Sequence, residues 1–366
     1  MKSIESVYIH IPFCSSICTY CDFSKMLYYE KFASSYLEAL FDEVKGKYKG
    51  EEIKTIYIGG GTPSVLNLKD LKKLFEITKI FKLKKDYEFT IECNVNDINE
   101  EKLEIFKNNG INRISIGVQS FNSEILKKMN RFHTYEEVKQ KIELINKFGI
   151  ENINVDLIYA FPNTSIFDLK KDLEKVFSLK IKHISTYSLM IEPHTMLYIK
   201  KTKSISEDID SEMYELIKKE MKKHGFIHYE VSNFCIPNYQ SKHNLTYWNN
   251  LEYYGFGLGA SGYIKNVRYT NTLSLDKYLS HKYVSEEEVL SKKDQMVYEL
   301  ILGMRKIDGI NIKDFNKKFQ TNLLENKIIQ RLIKNDCLVI DDNYIKIPYN
   351  KIYTENDILK ELLDYE

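Results

Sequence analysis

The sequence predicts an α/β protein: a partial (β/α)6 barrel followed by a C-terminal helical, winged-helix-like domain. Three observations carry that prediction. Short apolar runs alternate with amphipathic helical periods through the first half of the chain. The strand openings at Val7, Ile53, Tyr87, Arg113, Asn152 and His183 make six units, short of the eight that close a full barrel. From about Ser285 the pattern changes to consecutive helical periods ending in a short hairpin.

Taken in order, the run 7–11 reads as the first strand, stopped by Pro12. Residues 29–47 carry Phe32, Tyr36, Leu37, Leu40, Phe41 and Val44 at a helical period. Strand 53–58 runs into Gly59-Gly60-Gly61-Thr62-Pro63, and helix 68–81 with strand 87–93 repeats the unit. Helix 100–108 leads through Gly110 to strand 113–118, and helix 135–148 stops at Gly149 before strand 152–158. Helix 167–179 and strand 183–189 end the series. The expected division is a barrel over 1–232, a connecting segment over 233–284 and a C-terminal domain over 285–366. In the last, helical periods at 296–305, 312–319 and 323–334 precede a hairpin across Asp341-Asp342-Asn343.

Parallel β/α folds bind ligands at the carboxyl ends of their strands. Directly after the first strand come Cys14, Cys18 and Cys21. Three thiolates so close suit a soft metal or an iron–sulfur cluster, leaving one position for a non-protein ligand. Zinc would draw on a second Cys or His pair, whereas Cys93, Cys235 and Cys337 are single and scattered. Redox-inert packing thiols are the bland alternative. The glycine turn exposes backbone amides to a ligand, although a plain strand-ending turn looks the same; without a following Gly-Lys-Ser/Thr it is not a P-loop. Glu92, Gln119 and Asp156 lie at or beside strand ends and Arg131 follows in Met-Asn-Arg-Phe-His, all on one rim. His243-Asn-Leu-Thr-Tyr247-Trp248 reads as a loop that offers an iron ligand between stacking rings, or else ordinary packing.

Lys+Arg of 53 against Asp+Glu of 52 leaves a net charge of +1, so no overall field favours nucleic acid or an anionic membrane. Only five basic residues are arginine, few for reading phosphates. No apolar run approaches the ~18 residues of a membrane span. Little room precedes Cys14 for a leader, so a cytoplasmic protein is expected, meeting membranes only through partners. The C-terminal domain interleaves Lys with Asp and Glu, which suits a packing module over the barrel's open side better than DNA binding.

The C-x3-C-x2-C spacing resembles the signature of the radical S-adenosylmethionine (SAM) superfamily. Tyr8-Ile-His-Ile-Pro-Phe-Cys, Gly-Gly-Gly-Thr-Pro, Ser115-Ile-Gly-Val-Gln-Ser-Phe and Asn154-Val-Asp-Leu-Ile narrow the resemblance, and Ile191-Glu-Pro, Tyr229-Glu-Val-Ser-Asn and Gly255-Phe-Gly-Leu-Gly-Ala extend it along nearly the whole chain. They resemble the oxygen-independent coproporphyrinogen III oxidases and their paralogues, the HemW-type haem chaperones. That resemblance implies a 4Fe-4S cluster on Cys14, Cys18 and Cys21 whose fourth iron is chelated by SAM, the source of a 5′-deoxyadenosyl radical. It implies SAM contacts at Tyr8, Gly60, Gly61, Thr62, Glu92, Gln119, Arg131 and Asp156, and haem contacts at His243, Tyr247 and Trp248. Oxidases carry a further cysteine two residues after the third and a long preceding segment; here Asp22 and Phe23 follow Cys21. The HNxxYW motif marks the chaperone branch. The expectation is therefore a haem chaperone serving acceptor haem proteins such as membrane-bound respiratory enzymes. Radical decarboxylation of coproporphyrinogen III is the alternative, and an RNA-modifying role is disfavoured. Whether the protein is an enzyme, turns SAM over or forms a homodimer stays open. Departures from the family pattern stand at Val95, Ala160, Cys235 and Ser261, and Cys235 is either a haem thiolate or a small buried residue.

Overall fold

The computed structural model describes residues 3–365. Six strands, β1 (Ser6–Ile11), β2 (Glu52–Gly60), β3 (Lys82–Asn94), β4 (Arg113–Gln119), β5 (Asn152–Tyr159) and β6 (His183–Ser188), lie side by side in chain order and all parallel. Their two faces differ in chemistry. Val7, Ile9, Ile56, Ile58, Phe89, Ile91, Ile114, Ile116, Ile153 and Val155 are buried towards the helices; Phe89, for example, meets Phe75 of helix α2 below at 6.2 Å between ring centres. The alternate positions, Thr55, Tyr57, Glu88, Thr90, Glu92, Arg113, Ser115, Asn154 and Asp156, are polar and line the concave interior.

The crossovers are α1 (Glu30–Lys47), α2 (Leu68–Thr78), α3 (Glu100–Asn108), the pair α4 (Ser123–Lys128) and α5 (Tyr135–Lys147), and α6 (Ile166–Ser178). Side-chain caps start them where the strand-to-helix turns end: Asn67, Asn99, Thr134 with Glu137, and Ser165 with Asp168. The short α4 has too few residues for its period to show in sequence.

The sheet extends beyond the six units. A hairpin of β7 (Ile227–Glu230) and β8 (Asn233–Cys235) adds antiparallel to β6, preceded by α7 (Met196–Ile199) and α8 (Glu207–Lys223). After α9 (Lys242–Trp248), strand β9 (Tyr254–Phe256) pairs parallel with β1 at the opposite edge. The result is a nine-stranded sheet in the order β9-β1-β2-β3-β4-β5-β6-β8-β7. Residues 233–284 are thus woven into the barrel, and β10 (Ser261–Ile264), β11 (Val267–Asn271), α10 (Leu275–Leu279) and β12 (Val284–Val289) add a second small sheet. The change of composition near 285 falls inside that sheet, because β12 pairs back on β11.

The C-terminal module runs α11 (Lys292–Gly303), β13 (Ile310–Asn311), α12 (Ile312–Phe319), α13 (Lys327–Lys334), β14 (Val339–Asp341) and β15 (Tyr344–Lys346), a winged-helix order with a three-stranded antiparallel sheet. It closes the β7 edge: Val231 N donates to Arg305 O at 3.1 Å and Ile307 N to Tyr229 O at 3.2 Å. No helix among the described residues is long and apolar enough to cross a membrane.

Candidate SAM and iron–sulfur site

The cysteine loop leaves β1 at Pro12 and is fastened on both sides. Phe13–Cys14 pairs with Met26–Leu27, which fixes Cys14 at the mouth of the sheet. Thr19 N donates to Met129 O at 3.3 Å, Leu197 N to Thr19 O at 3.1 Å and Asn130 Nδ2 to Ile17 O at 3.0 Å. All three thiols are free, Cys14 buried and the other two half-buried. Burial pushes the Cys14 thiol up to about 12 and raises Cys21, so thiolates here call for a cation.

Among the described residues, no three His, Cys, Asp or Glu side chains converge tightly enough for a single metal ion. A cubane offers a separate iron to each thiolate and needs no such convergence, so the donor set fits a cluster.

The rim residues named from the sequence meet around this loop. Thr62 Oγ1 lies 3.8 Å from Cys14 Sγ, and Arg131 Nη1 lies 3.6 Å from Cys18 Sγ. Arg131 Nη2 also donates to Gly117 O (2.6 Å) and Asn94 Oδ1 (2.7 Å), which ties the loop to β3 and β4. Glu92 accepts from Tyr57 Oη at 2.7 Å and from Gly60 N at 3.1 Å. Burial pushes its carboxyl up to about 7, with the negative Asp156 adding to the shift. Asp156 is raised by burial as well, and accepts from Asn154 Nδ2 (2.8 Å) and Ser115 Oγ (3.2 Å). Gln119 turns the chain out of β4 at φ +70°. Tyr8 Oη meets His10 Nδ1 at 3.0 Å, and the His10 ring packs against Gly60, where a Cβ would come within 2.5 Å of it. A Cβ on Gly61 would strike Phe13 O at 2.7 Å, so close backbone approach to the cysteine loop demands glycine there.

Tyr57, Asn94, Asn154 and Ser115 orient these groups and were missed as site residues. Their signal was available: each stands at an interior position of a period-two strand, on the same face as Glu92 and Asp156.

The HNxxYW stretch is a helix rather than a loop, and it plugs the opposite end of the barrel. Ser241 caps α9, and Glu88 of β3 accepts from the Lys242 and His243 amides, both at 3.0 Å. His243 is 1% exposed. Its Nδ1 meets Thr55 Oγ1 and its Nε2 meets Tyr247 Oη, each at 2.8 Å, while the ring stacks on Tyr57 at 5.2 Å. In this arrangement both ring nitrogens of His243 are engaged by hydroxyl groups of the chain. Cys235 is fully buried in β8, its thiol pushed up to about 12 by burial, and belongs to packing.

Comparison with known proteins agrees with this geometry. The Radical SAM superfamily profile matches residues 8–176 and the HemN C-terminal domain profile residues 290–348. The protein named Heme chaperone HemW from Lactococcus lactis is 41% identical over 99% of this chain and 98% of its own. Its namesakes from Bacillus subtilis and Escherichia coli are 38% and 33% identical, over 87% and 79% of this chain and 88% and 79% of theirs. The solved Escherichia coli coproporphyrinogen III oxidase (HemN), described as a radical SAM enzyme, superposes with a TM-score of 0.87 at 20% identity, covering 99% of this chain and 90% of that one. That overlay speaks to fold alone. With a cysteine loop at the mouth of a six-unit parallel barrel, a HemN-type C-terminal module and full-length similarity, the chain belongs to the HemW family within the radical SAM superfamily.

Proposed function

We propose that this protein is a haem chaperone that holds a 4Fe-4S cluster on Cys14, Cys18 and Cys21, binds SAM at the same mouth, and passes haem to acceptor haem proteins. The observation that carries the reading is the full-length similarity to proteins named Heme chaperone HemW. When bound, the cluster and SAM supply one-electron chemistry. The chain's own part is orientation. Tyr57 and the Gly60 amide hold the Glu92 carboxylate towards SAM's polar groups, and Asn154 and Ser115 do the same for Asp156. Arg131 fastens the cysteine loop to the rim that carries Gln119, and Gly61 and Thr62 keep backbone atoms close to Cys14. Haem is assigned to the surface of Tyr247 and Trp248, on the barrel's far side. The acceptors, membrane-bound respiratory enzymes among them, are met from the cytoplasm.

The alternative is oxygen-independent coproporphyrinogen III oxidation. One preparation separates the two. After anaerobic cluster reconstitution, the protein is expected to bind haem and to leave coproporphyrinogen III unconsumed; turnover to protoporphyrinogen would overturn the chaperone reading. Cys18→Ala is expected to lose the brown chromophore, and unchanged iron content in that variant would remove Cys18 from the ligand set.

A further inference from the structure

Helix α1 buries a carboxyl group that the site described above leaves unused. Glu43 is 1% exposed, and four donors converge on it. Its Oε1 accepts from Lys47 Nζ and Asn271 Nδ2, both at 2.7 Å, and its Oε2 from Tyr278 Oη at 2.6 Å and the Gly257 amide at 2.9 Å. A lysine ammonium, a carboxamide N–H and a backbone amide can only donate, so both oxygens are needed as acceptors. Charge-assisted bonds of this kind are about twice as strong as neutral ones.

What Glu43 fastens is the turn 257–260 that follows β9. Gly257 is held through both its N–H, by Glu43, and its C=O, which accepts from Asn271 Nδ2 at 2.9 Å. The turn runs at φ +101° at Gly257 and +72° at Gly259. A Cβ on Gly257 would come within 2.5 Å of His10 O and 2.6 Å of Tyr36 Oη, and one on Gly259 within 2.9 Å of the Ser24 side chain. The turn therefore packs against the end of β1 and against the exit of the cysteine loop, just past Cys21. Tyr36 Oη bridges the same parts, accepting from Leu258 N at 3.0 Å and donating to His10 O at 2.7 Å. His10 carries the contact onward. Its Nε2 meets Ser24 O at 2.8 Å, and a carbonyl only accepts, so Nε2 holds the proton and Nδ1 accepts from Tyr8 Oη at 3.0 Å. The same ring packs on Gly60. Tyr8 and Gly60 are among the expected SAM contacts, so a continuous path leads from Glu43 to the mouth.

We propose that Glu43 is a positioning residue for SAM. Its carboxylate holds the turn 257–260, and the turn backs His10 and Ser24, which sets Tyr8, Gly60 and the exit of the cysteine loop in the arrangement that SAM meets. The inference rests on the SAM reading above and adds to it a residue on the outer helix layer, outside the rim and outside every motif of the mouth.

The test compares the full-length wild type with Glu43→Gln, Tyr36→Phe and the double variant. SAM affinity is read by equilibrium dialysis after anaerobic cluster reconstitution, and amide hydrogen exchange is read on the cluster-free protein. Glu43→Gln keeps the shape but turns an N–H towards one pair of donors; Tyr36→Phe keeps the ring and deletes the bridge from Leu258 to His10. SAM binding is expected to weaken about fivefold or more in Glu43→Gln and about threefold or more in Tyr36→Phe. Both are expected to speed exchange over 22–26 as well as 257–260 and to leave the C-terminal module as it was. The double variant is expected to lose no more than Glu43→Gln alone, because the two substitutions cut one path. Wild-type SAM affinity in Glu43→Gln, or losses that add in the double variant, reduces Glu43 to a prop of the fold and overturns the proposal. Where Glu43→Gln does not fold, Tyr36→Phe decides, and unchanged affinity with unchanged exchange over 22–26 overturns the path. Failure of the wild type to bind SAM overturns the SAM reading itself, and the positioning role with it.

Discussion

Glu92 shows how one residue can be poised by its surroundings. Desolvation in the barrel interior and the nearby Asp156 disfavour its charge, while Tyr57 and the Gly60 amide favour it, and the balance leaves its carboxyl at about 7 instead of the usual 4.5. Below that value the group is mostly protonated and neutral; above it, mostly carboxylate. A ligand that brings positive charge, as SAM does, favours the ionised form, so binding at lower pH must first release a proton. SAM affinity is therefore expected to rise as pH goes from 6 to 8, by up to about tenfold per unit below the pKa. In Glu92→Gln the slope should vanish and affinity should be low throughout. Equilibrium dialysis at several pH values checks this, and an unchanged slope in the variant would assign the titration elsewhere, with Asp156 the first candidate.

Among the elements, α9 was the hardest to foresee and the parallel strands the easiest. Strands β1 to β6 announce themselves because each is apolar on its helix-facing side and most are followed by a helix with a side-chain cap, and parallel topology then gathers Cys14, Gly60, Glu92, Gln119 and Asp156 on one rim. Helix α9 is seven residues long, less than two full turns of useful period, and beyond its Ser241 cap it is defined by tertiary contacts with Ser6, Thr55 and Glu88. Strand β9 is shorter still, and its pairing with β1 joins Val7 to Tyr254, far apart along the chain. A motif read as a haem loop thereby becomes the floor of the barrel, with His243 bearing on Tyr57 and through it on Glu92. His243→Ala would strand Thr55 Oγ1 and Tyr247 Oη and leave a void beneath Tyr57. A stability loss of about 2–4 kcal/mol in urea denaturation is expected, with weakened SAM binding. A loss below about 1 kcal/mol accompanied by abolished haem binding would instead make His243 a ligand.

At the scale of the whole molecule, the C-terminal module shares the barrel's apolar core, with Tyr353 against Tyr214 and Tyr349 against His228, and the stretch 303–307 adds a backbone joint to β7. Arg305 concentrates that joint. Its carbonyl accepts from Val231 N, its guanidinium lies over Trp248, and Nη1 meets Glu355 at 3.0 Å. Glu355 is 2% exposed, and burial pushes its carboxyl up to about 7 even though Arg305 opposes the shift. A carboxyl raised in this way stabilises the fold most while protonated, below its ordinary 4.5, and that contribution is lost as pH climbs through 7. Removing Arg305 raises the carboxyl further, so the damage is confined to conditions in which Glu355 would ionise. Arg305→Ala is expected to cost little at pH 5 and about 1–3 kcal/mol at pH 8, less than for a fully enclosed pair because the Arg305 side chain is 28% exposed. Urea denaturation at the two pH values measures the difference. An equal loss at both would place the contribution of Arg305 in its packing over Trp248 and not in its charge, and the joint between barrel and module would then be apolar in origin despite the ion pair at its centre.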